Sequence, residues 1–194
     1  MARPKEFDRE AALAAAKRVF WAKGYDATST DDLRHAIGIG RQSLYDTFGG
    51  KRALYLEALR RYQDDSVAAR IKILRTADSP LSAIEQFLVA VARETPTQRA
   101  MGCMGVRAIC DFGTSDPDVS ELGKSAGSLV ESALEDTLRN AKAKNEVRPS
   151  VNVRAAARFL QATLIGLKVA ARAGSTPNSL RAIAEVAVDG LRKK

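Results

Sequence analysis

Five polar side chains lie close together in one short segment and could bind nucleic acid: Arg41, Gln42, Ser43, Tyr45 and Thr47. Arginine can donate two parallel hydrogen bonds to guanine in the major groove, and glutamine can pair in the same bidentate way with adenine. The three hydroxyl groups can contact base edges or phosphates. These residue types in one segment therefore favour contacts to both the bases and the backbone of a DNA duplex.

Thr30 and Lys51 each lie at the expected start of a helix, where they could bind phosphate. The first backbone N–H groups of a helix have no partner within it and attract anions. A lysine ammonium adds a charge that neutralises a phosphate. Asp46 is the first acidic residue of the segment 41–47, so the leading face of this segment is free of phosphate repulsion. We expect Thr30 and Lys51 to position the protein on DNA and the segment 41–47 to select the sequence.

A helix-turn-helix pattern is predicted to position these residues. Residues 30–37 predict a helix of two turns, residues 38–40 a tight turn with two glycines, and residues 41–48 a second short helix. Leu44 and Phe48 are four residues apart, so they face the core together and leave the polar side chains on the other side. In a helix-turn-helix, this second helix enters the major groove.

The chain resembles the TetR family of transcriptional regulators over about its first sixty residues. The resemblance lies in Thr30-Asp31-Asp32-Leu33, in Ala36-Ile37-Gly38-Ile39-Gly40 and in the run from Ser43 to Leu54, preceded by Ala15, Val19, Phe20, Gly24, Tyr25 and Thr28. At the position of Gly40 the family often has serine or threonine. The hydroxyl cap of the second helix is therefore missing here, together with the phosphate contact it would make, although glycine is an acceptable N-cap.

The resemblance implies an all-α fold of about nine helices. It implies an N-terminal helix-turn-helix domain and a C-terminal helical domain that binds a ligand and dimerises through the eighth and ninth helices. The expected function is that of a repressor that binds a palindromic operator and is released by a small molecule. The expected partners are double-stranded DNA, an unknown small-molecule effector and a second copy of the chain.

Helical patterns cover almost the whole chain, and no sustained alternation typical of β-strands competes with them. The nine predicted helices span about residues 8–23, 30–37, 41–48, 51–75, 80 onward, 102–112, 117–144, 152–172 and 177–191. Ser79-Pro80, Asp116-Pro117 and Thr176-Pro177 each predict a helix start, with a capping side chain before a proline. We predict a DNA-binding domain over residues 1–50 and a ligand-binding and dimerisation domain over 51–194, connected by the fourth helix.

Composition narrows the classes of protein to which the chain could belong. The 194 residues carry a formal net charge of +8, which favours an anionic partner such as nucleic acid or an anionic membrane surface. No apolar run reaches the roughly 18 residues of a membrane span, and the start of the chain lacks the apolar core of a signal peptide. The sequence therefore predicts a cytoplasmic protein without a membrane partner.

The second half of the chain offers six candidates for a ligand pocket: Phe87, Met104, Arg107, Asp111, Phe112 and Phe159. Aromatic and methionine side chains can line small-molecule sites, but at helical spacing they more often belong to the ordinary core. Arg107 and Asp111 are four residues apart, so they could form a solvated salt bridge or two polar anchors in the pocket.

The last two predicted helices are rich in alanine and carry bulky apolar residues, which favours close helix packing and a two-fold four-helix dimer interface. The single histidine, His35, makes a metal site or a catalytic triad improbable, so no metal, cofactor, catalytic residue or enzymatic activity is expected. Cys103 and Cys110 would lie about 10.5 Å apart along one helix, too far for a disulfide, and are interpreted as small buried residues. Two alternative hypotheses are a helical protein that binds a hydrophobic ligand and a non-specific DNA binder.

Overall fold

The computed structural model describes residues 8–193, so residues 1–7 of the predicted N-terminal domain and Lys194 lie outside the described residues. Within that range the chain forms ten α-helices and one 3-10 turn, with a single isolated β-bridge and no β-strand. The helices are α1 (Arg9–Lys23), α2 (Thr30–Ile37), α3 (Arg41–Phe48), α4 (Lys51–Thr76), α5 (Pro80–Val89), α6 (Pro96–Met101), α7 (Met104–Phe112), α8 (Pro117–Ala143), α9 (Val153–Arg172) and α10 (Pro177–Asp189). The expected all-α fold is confirmed.

Several helices begin at the predicted capping residues. The Asp8 carboxylate accepts hydrogen bonds from the backbone N–H groups of residues 10 and 11 at the start of α1. Ser79 and Thr176 cap α5 and α10, each followed by a proline at the first helical position. Asp116 accepts from the N–H groups of residues 118 and 119 at the start of α8. These side chains satisfy N–H groups that have no partner inside the helix.

The short helix α6 is an addition to the nine predicted helices. Thr95 accepts a hydrogen bond from the Gln98 N–H, and the Gln98 side chain accepts one from the Thr95 N–H. Pro96 occupies the first position of the helix. This reciprocal capping box is a local signal for a helix start. Gly102 ends α6 with φ 70°, so the predicted sixth helix, α7, begins two residues later than its expected start.

The described residues divide into two compact units, each with its own core. The first unit contains residues 8–63 and 103–122, and the second contains residues 64–102 and 123–193. The division differs from the predicted boundary at residue 50, because the first part of α4, the whole of α7 and the start of α8 belong with the helix-turn-helix. The first core is formed by fully buried side chains of α1 to α4 and α7, among them Phe20, Leu33, Leu44, Leu54, Leu59 and Met104.

The second core lies among α5, α8, α9, α10 and the end of α4. Its fully buried side chains include Ile84, Phe87, Leu88, Leu134, Leu138 and Leu160. One ion pair adds to this core. The ammonium of Lys168 on α9 pairs with the largely buried carboxylate of Glu94, which precedes α6. None of the helices within residues 8–193 combines the length and the apolar character that crossing a bilayer requires.

Candidate DNA-binding interface

The start of α2 is held by a complete capping box. Ser29 accepts a hydrogen bond from the Asp32 N–H, and the Asp32 carboxylate accepts one from the Ser29 N–H at 2.9 Å. Lys23, at the end of α1, donates to the same carboxylate at 2.7 Å. These bonds connect the end of α1 to the start of α2. Thr30 lies at the first position of α2, and its side chain is partly buried.

The Lys23 ammonium, together with the Ser29 N–H, lowers the pKa of the Asp32 carboxyl from 3.8 to about 2. Since the folded-state pKa lies below the unfolded one, this carboxylate stabilises the fold above pH 4, and its contribution is lost as the pH falls towards 2. We therefore expect the melting temperature of wild type to exceed that of Asp32→Asn at pH 6, and the difference to vanish near pH 2. Thermal unfolding followed by circular dichroism at these pH values measures it.

The matched control is Asp26→Asn, which removes an exposed carboxylate that has no ion pair within the described range. A difference between wild type and Asp32→Asn that stays constant from pH 6 to pH 2 would contradict the assignment of the ion pair to Lys23.

The recognition helix α3 has one buried face and one exposed polar face. Leu44 is fully buried and Phe48 is 5% exposed, which confirms that these two face the core. The predicted DNA-contacting side chains lie on the other side of the helix. Arg41, Gln42, Ser43 and Tyr45 are exposed, and Thr47 is partly buried. The packing of Leu44 and Phe48 therefore sets which side chains of the helix meet an approaching duplex.

The turn before α3 brings it into place without a side-chain cap. Gly38 ends α2 in the left-handed conformation with φ 79°, which glycine adopts without steric cost. Gly40 is the N-cap of α3 and makes no side-chain hydrogen bond, as expected for glycine. No side chain of the N-cap residue therefore satisfies the first N–H groups of α3. Such N–H groups at a helix start can bind an anion.

The polar side chains of α3 differ in how they are held. Gln42 Nε2 donates a hydrogen bond to Asp46 Oδ1 at 2.8 Å. Tyr45 lies over the backbone of the following turn, since a Cβ on Gly50 would be 3.1 Å from its ring. The side chains of Arg41 and Ser43 make no hydrogen bond or ion pair with any part of the chain that the structure describes. Their side chains are available to a partner without breaking an internal contact.

Lys51 is held beside the recognition helix by an aromatic ring. Its ammonium lies 4.4 Å from the centroid of the Tyr25 ring, a cation–π contact that restricts its position. Lys51 is also the first residue of α4, where the helix dipole attracts anions. The charge of Lys51 and the start of α4 are therefore placed together at one potential phosphate site. Sequence patterns do not reveal this role of Tyr25, because ring and ammonium are 26 positions apart.

Arg107 of α7 binds the end of α1. Its guanidinium donates hydrogen bonds to the carbonyl oxygens of Ala22 at 3.2 Å and Lys23 at 2.5 Å, and it pairs with Asp111 at 3.6 Å. Gly24 has φ 83°, and a Cβ there would lie 2.5 Å from the guanidinium, so a side chain at this position would strain the backbone and displace Arg107. The salt bridge predicted between Arg107 and Asp111 is present, and both residues belong to the helix-turn-helix unit.

A second contact holds the start of α8 in the same unit. Arg52 Nη2 donates to Asp118 at 2.7 Å and to Asp116 at 3.1 Å, and the pKa of Asp116 is lowered by its bond from the Val119 N–H and by Arg52. Nothing in the local pattern predicts this pairing, because the two ends are more than 60 residues apart.

The structure does not bring the six predicted pocket residues together. Met104 lies in the first core, and Phe112 packs against Tyr25 and Tyr55 at centroid distances of 5.4 and 5.6 Å. Phe87 is buried in the second core, whereas Phe159 is 49% exposed on α9. A cavity of about 360 Å³ in the second unit is lined by residues of α4, α5 and α8 and by the connection between α4 and α5, and by none of the six.

The cysteines and acidic residues form no site in the described part of the chain. Cys103 and Cys110 are both free thiols. Cys103 is buried as expected, but the same interpretation of Cys110 is wrong, because its side chain lies on the exposed face of α7. No group of three or more histidine, cysteine, aspartate or glutamate residues between positions 8 and 193 is arranged to hold a metal ion.

Comparison with known families identifies the chain. Residues 12–58 match the family of bacterial regulatory proteins of the tetR type, and residues 80–187, more than half of the chain, match the tetracyclin repressor-like C-terminal domain. The chain belongs to the TetR family. The expected family, fold class and function as a DNA-binding transcriptional regulator are thereby confirmed.

Relatives of this TetR-family protein match over nearly its full length. It is 32% identical to the HTH-type transcriptional repressor ComR of Escherichia coli, over 94% of this chain and 88% of the relative. It is 31% identical to the HTH-type transcriptional regulator YezE of Bacillus subtilis, over 98% and 100%. Its fold is similar to that of the regulator CifR, solved as a cysteine mutant complexed with 26-base-pair double-strand operator DNA, with a TM-score of 0.85, 26% identity and coverage of 98% and 100%.

Proposed function

We propose that this protein is a homodimeric repressor that binds a palindromic operator through α3 and leaves it when a small molecule binds. The observation that carries the proposal is the exposed polar face of α3, with Leu44 buried beneath it. Within residues 8–193 the side chains of Arg41 and Ser43 make no hydrogen bond or ion pair. A helix of this kind in a helix-turn-helix reads base edges in the major groove. The repressor relatives and the operator complex of CifR support the same role.

Base and phosphate contacts are assigned to different residues. Arg41 and Gln42 are the proposed base readers, and Ser43, Tyr45 and Thr47 contact base edges or the adjoining phosphates. Lys51 and Thr30 bind phosphates at the starts of α4 and α2. These seven residues all belong to the first unit, so one core supports the whole proposed contact surface.

An apolar surface on α9 and α10 supports dimerisation. These two helices pack against each other and carry five large apolar side chains that are exposed in the single chain: Phe159, Ile165, Val169, Ile183 and Val186. Folded monomers rarely leave a large apolar patch in water. A second copy, related by a two-fold axis, would cover the same surface on both chains. The dimer then presents two recognition helices to the two halves of a palindrome.

The proposed effector is a small molecule that binds in the second unit. The cavity of about 360 Å³ in the second unit is of the size that small molecules occupy. Its lining includes Arg75, Asp78, Asn140 and Lys144, so a polar molecule fits it better than a hydrophobic one. We place the candidate effector site there, in preference to the six residues that the sequence indicated.

A binding titration tests the proposed function. Fluorescence anisotropy with a labelled palindrome from the DNA flanking the gene, and with a scrambled duplex, is measured between 50 and 200 mM salt. Specific binding about 10³-fold tighter than to the scrambled duplex is expected. Equal affinity for both duplexes with a steep salt dependence would instead identify a non-specific DNA binder.

Arg41→Ala and Lys51→Ala are expected to weaken binding in different ways. Loss of Arg41 should cost about 1–3 kcal/mol per half-site on the operator and little on scrambled DNA. Loss of Lys51 should weaken both duplexes alike and reduce the salt dependence by about one counterion per half-site. Anisotropy titrations of each variant against both duplexes measure these effects.

Arg139→Ala is the matched control, because it removes an exposed arginine of the second unit that pairs with Glu135 and Asp136. Operator affinity that is unchanged in Arg41→Ala and Lys51→Ala would refute the proposed interface.

A further inference from the structure

We infer that Asp46 is a specificity-determining residue, which fixes the Gln42 amide so that α3 accepts adenine and rejects guanine at one position of each half-site. The inference rests on the proposed function, in which Gln42 faces the major groove. The observation behind it is the hydrogen bond from Gln42 Nε2 to Asp46 Oδ1, at 2.8 Å, on the exposed face of α3.

The chemistry of the pair fixes the orientation of the amide. An ionised carboxylate can only accept hydrogen bonds, so the amide nitrogen of Gln42, and not its oxygen, must face Asp46. The two residues are four positions apart on one helix, where side chains of this length meet. Neither makes another hydrogen bond or ion pair within the described residues. The pair therefore leaves Gln42 Oε1 and one N–H for a partner outside the chain.

The remaining groups match adenine and mismatch guanine. Adenine presents an N6 donor and an N7 acceptor in the major groove, which suit a free amide oxygen and a free N–H. Guanine presents two acceptors, O6 and N7, and no donor, so the fixed Oε1 of Gln42 would face another acceptor. An unpaired glutamine could rotate its amide to donate to guanine. Here that rotation would turn Oε1 towards the Asp46 carboxylate, and the two oxygens would repel each other.

A carboxylate on a DNA-facing helix reduces affinity for every duplex, because it approaches the phosphates. Asp46 is the single acidic residue among the eight residues of α3. Its cost is equal for all sequences, whereas its effect on the Gln42 amide differs between bases. Selection against a wrong partner commonly comes from such an added repulsion. Asp46 thus lowers total affinity and raises discrimination.

Asp46→Asn separates these two effects. Asparagine has nearly the same shape but can either donate or accept, so both orientations of the Gln42 amide become possible. The base pair that Gln42 reads is first located as the operator position at which Gln42→Ala abolishes base preference. Four operator duplexes that differ at this position, changed alike in both half-sites, are then titrated by fluorescence anisotropy. We expect wild type to prefer adenine over guanine about 10-fold or more, as for one mismatch per half-site, and Asp46→Asn to reduce this ratio to about threefold or less.

The controls separate charge, folding and function. Asp31→Asn removes an equal charge from α2, where Asp31 pairs with Arg34 at 2.8 Å, and should leave the adenine-to-guanine ratio unchanged. Thermal melting verifies that both variants fold. If the adenine-to-guanine ratio persists in Asp46→Asn while wild type still selects its operator, the inference is overturned and the proposed function stands. The same holds if Asp46→Asn loses only a preference for cytosine, because Asp46 would then contact that base itself. Wild type without any base preference overturns the proposed function and the inference with it.

Discussion

Val186→Asp is expected to leave the protein folded but monomeric and to weaken binding to a palindromic operator by about 100-fold or more. Val186 is 74% exposed on the proposed α9–α10 interface, so a carboxylate there costs the single chain little. In a dimer the same carboxylate would be buried without a partner, which is strongly unfavourable. Loss of the dimer also removes the gain of about 10²–10⁴ in affinity that comes from binding two linked half-sites.

The oligomeric state of this variant is measured by analytical ultracentrifugation, and its operator affinity by anisotropy. Arg181→Asp is a stringent control, since it lies on the polar side of the same helix and changes the charge by more than Val186→Asp does. We expect Arg181→Asp to stay dimeric and to keep its affinity. A dimer of unchanged strength in Val186→Asp would show that α10 is not at the interface.

Phe20→Ala is expected to lower the free energy of unfolding of the DNA-binding unit by about 3–5 kcal/mol, the usual cost of removing a buried phenylalanine. Phe20 is fully buried in α1 and packs edge-on against Tyr55 of α4, with ring centroids 5.1 Å apart. The cavity left behind would border the packing of α2 and α3, so operator binding should weaken as the unit unfolds.

Trp21 provides the measurement for Phe20→Ala. It is the single tryptophan of the chain and packs against Tyr62, with ring centroids 5.1 Å apart, so its fluorescence in urea follows the first unit. Tyr45→Ala removes a similar volume from a side chain that is 43% exposed, and it should cost about 1 kcal/mol or less. Equal midpoints for the two variants would mean that Phe20 does not support this core.

The parts of the fold that local chemistry determines were predictable from the sequence. Helix starts at Ser79, Asp116 and Thr176 follow from capping oxygens beside a proline, and each is present. The two faces of α3 follow from the spacing of Leu44 and Phe48. The Thr95–Gln98 capping box carried the same kind of signal for α6, so this helix too could have been identified from sequence.

The remainder depends on contacts that no local pattern contains. Arg107 and the Lys23 carbonyl are 84 residues apart, so the arginine was open to interpretation as a pocket anchor or a solvated partner of Asp111. Whether Phe159 is core or surface depends on which side of α9 its neighbours cover. The Gln42–Asp46 bond was within reach of the four-residue spacing, but only coordinates show that the two side chains meet.

The DNA-binding unit of this chain cannot be moved into another regulator as one continuous segment. A junction after α3 or within α4 would leave the α1 carbonyl groups without Arg107. A junction within α4 that follows Arg52 would also separate this arginine from Asp116 and Asp118. A working graft has to carry residues 103–122 as a second insert, or the recipient has to supply an arginine and a carboxylate pair in their place.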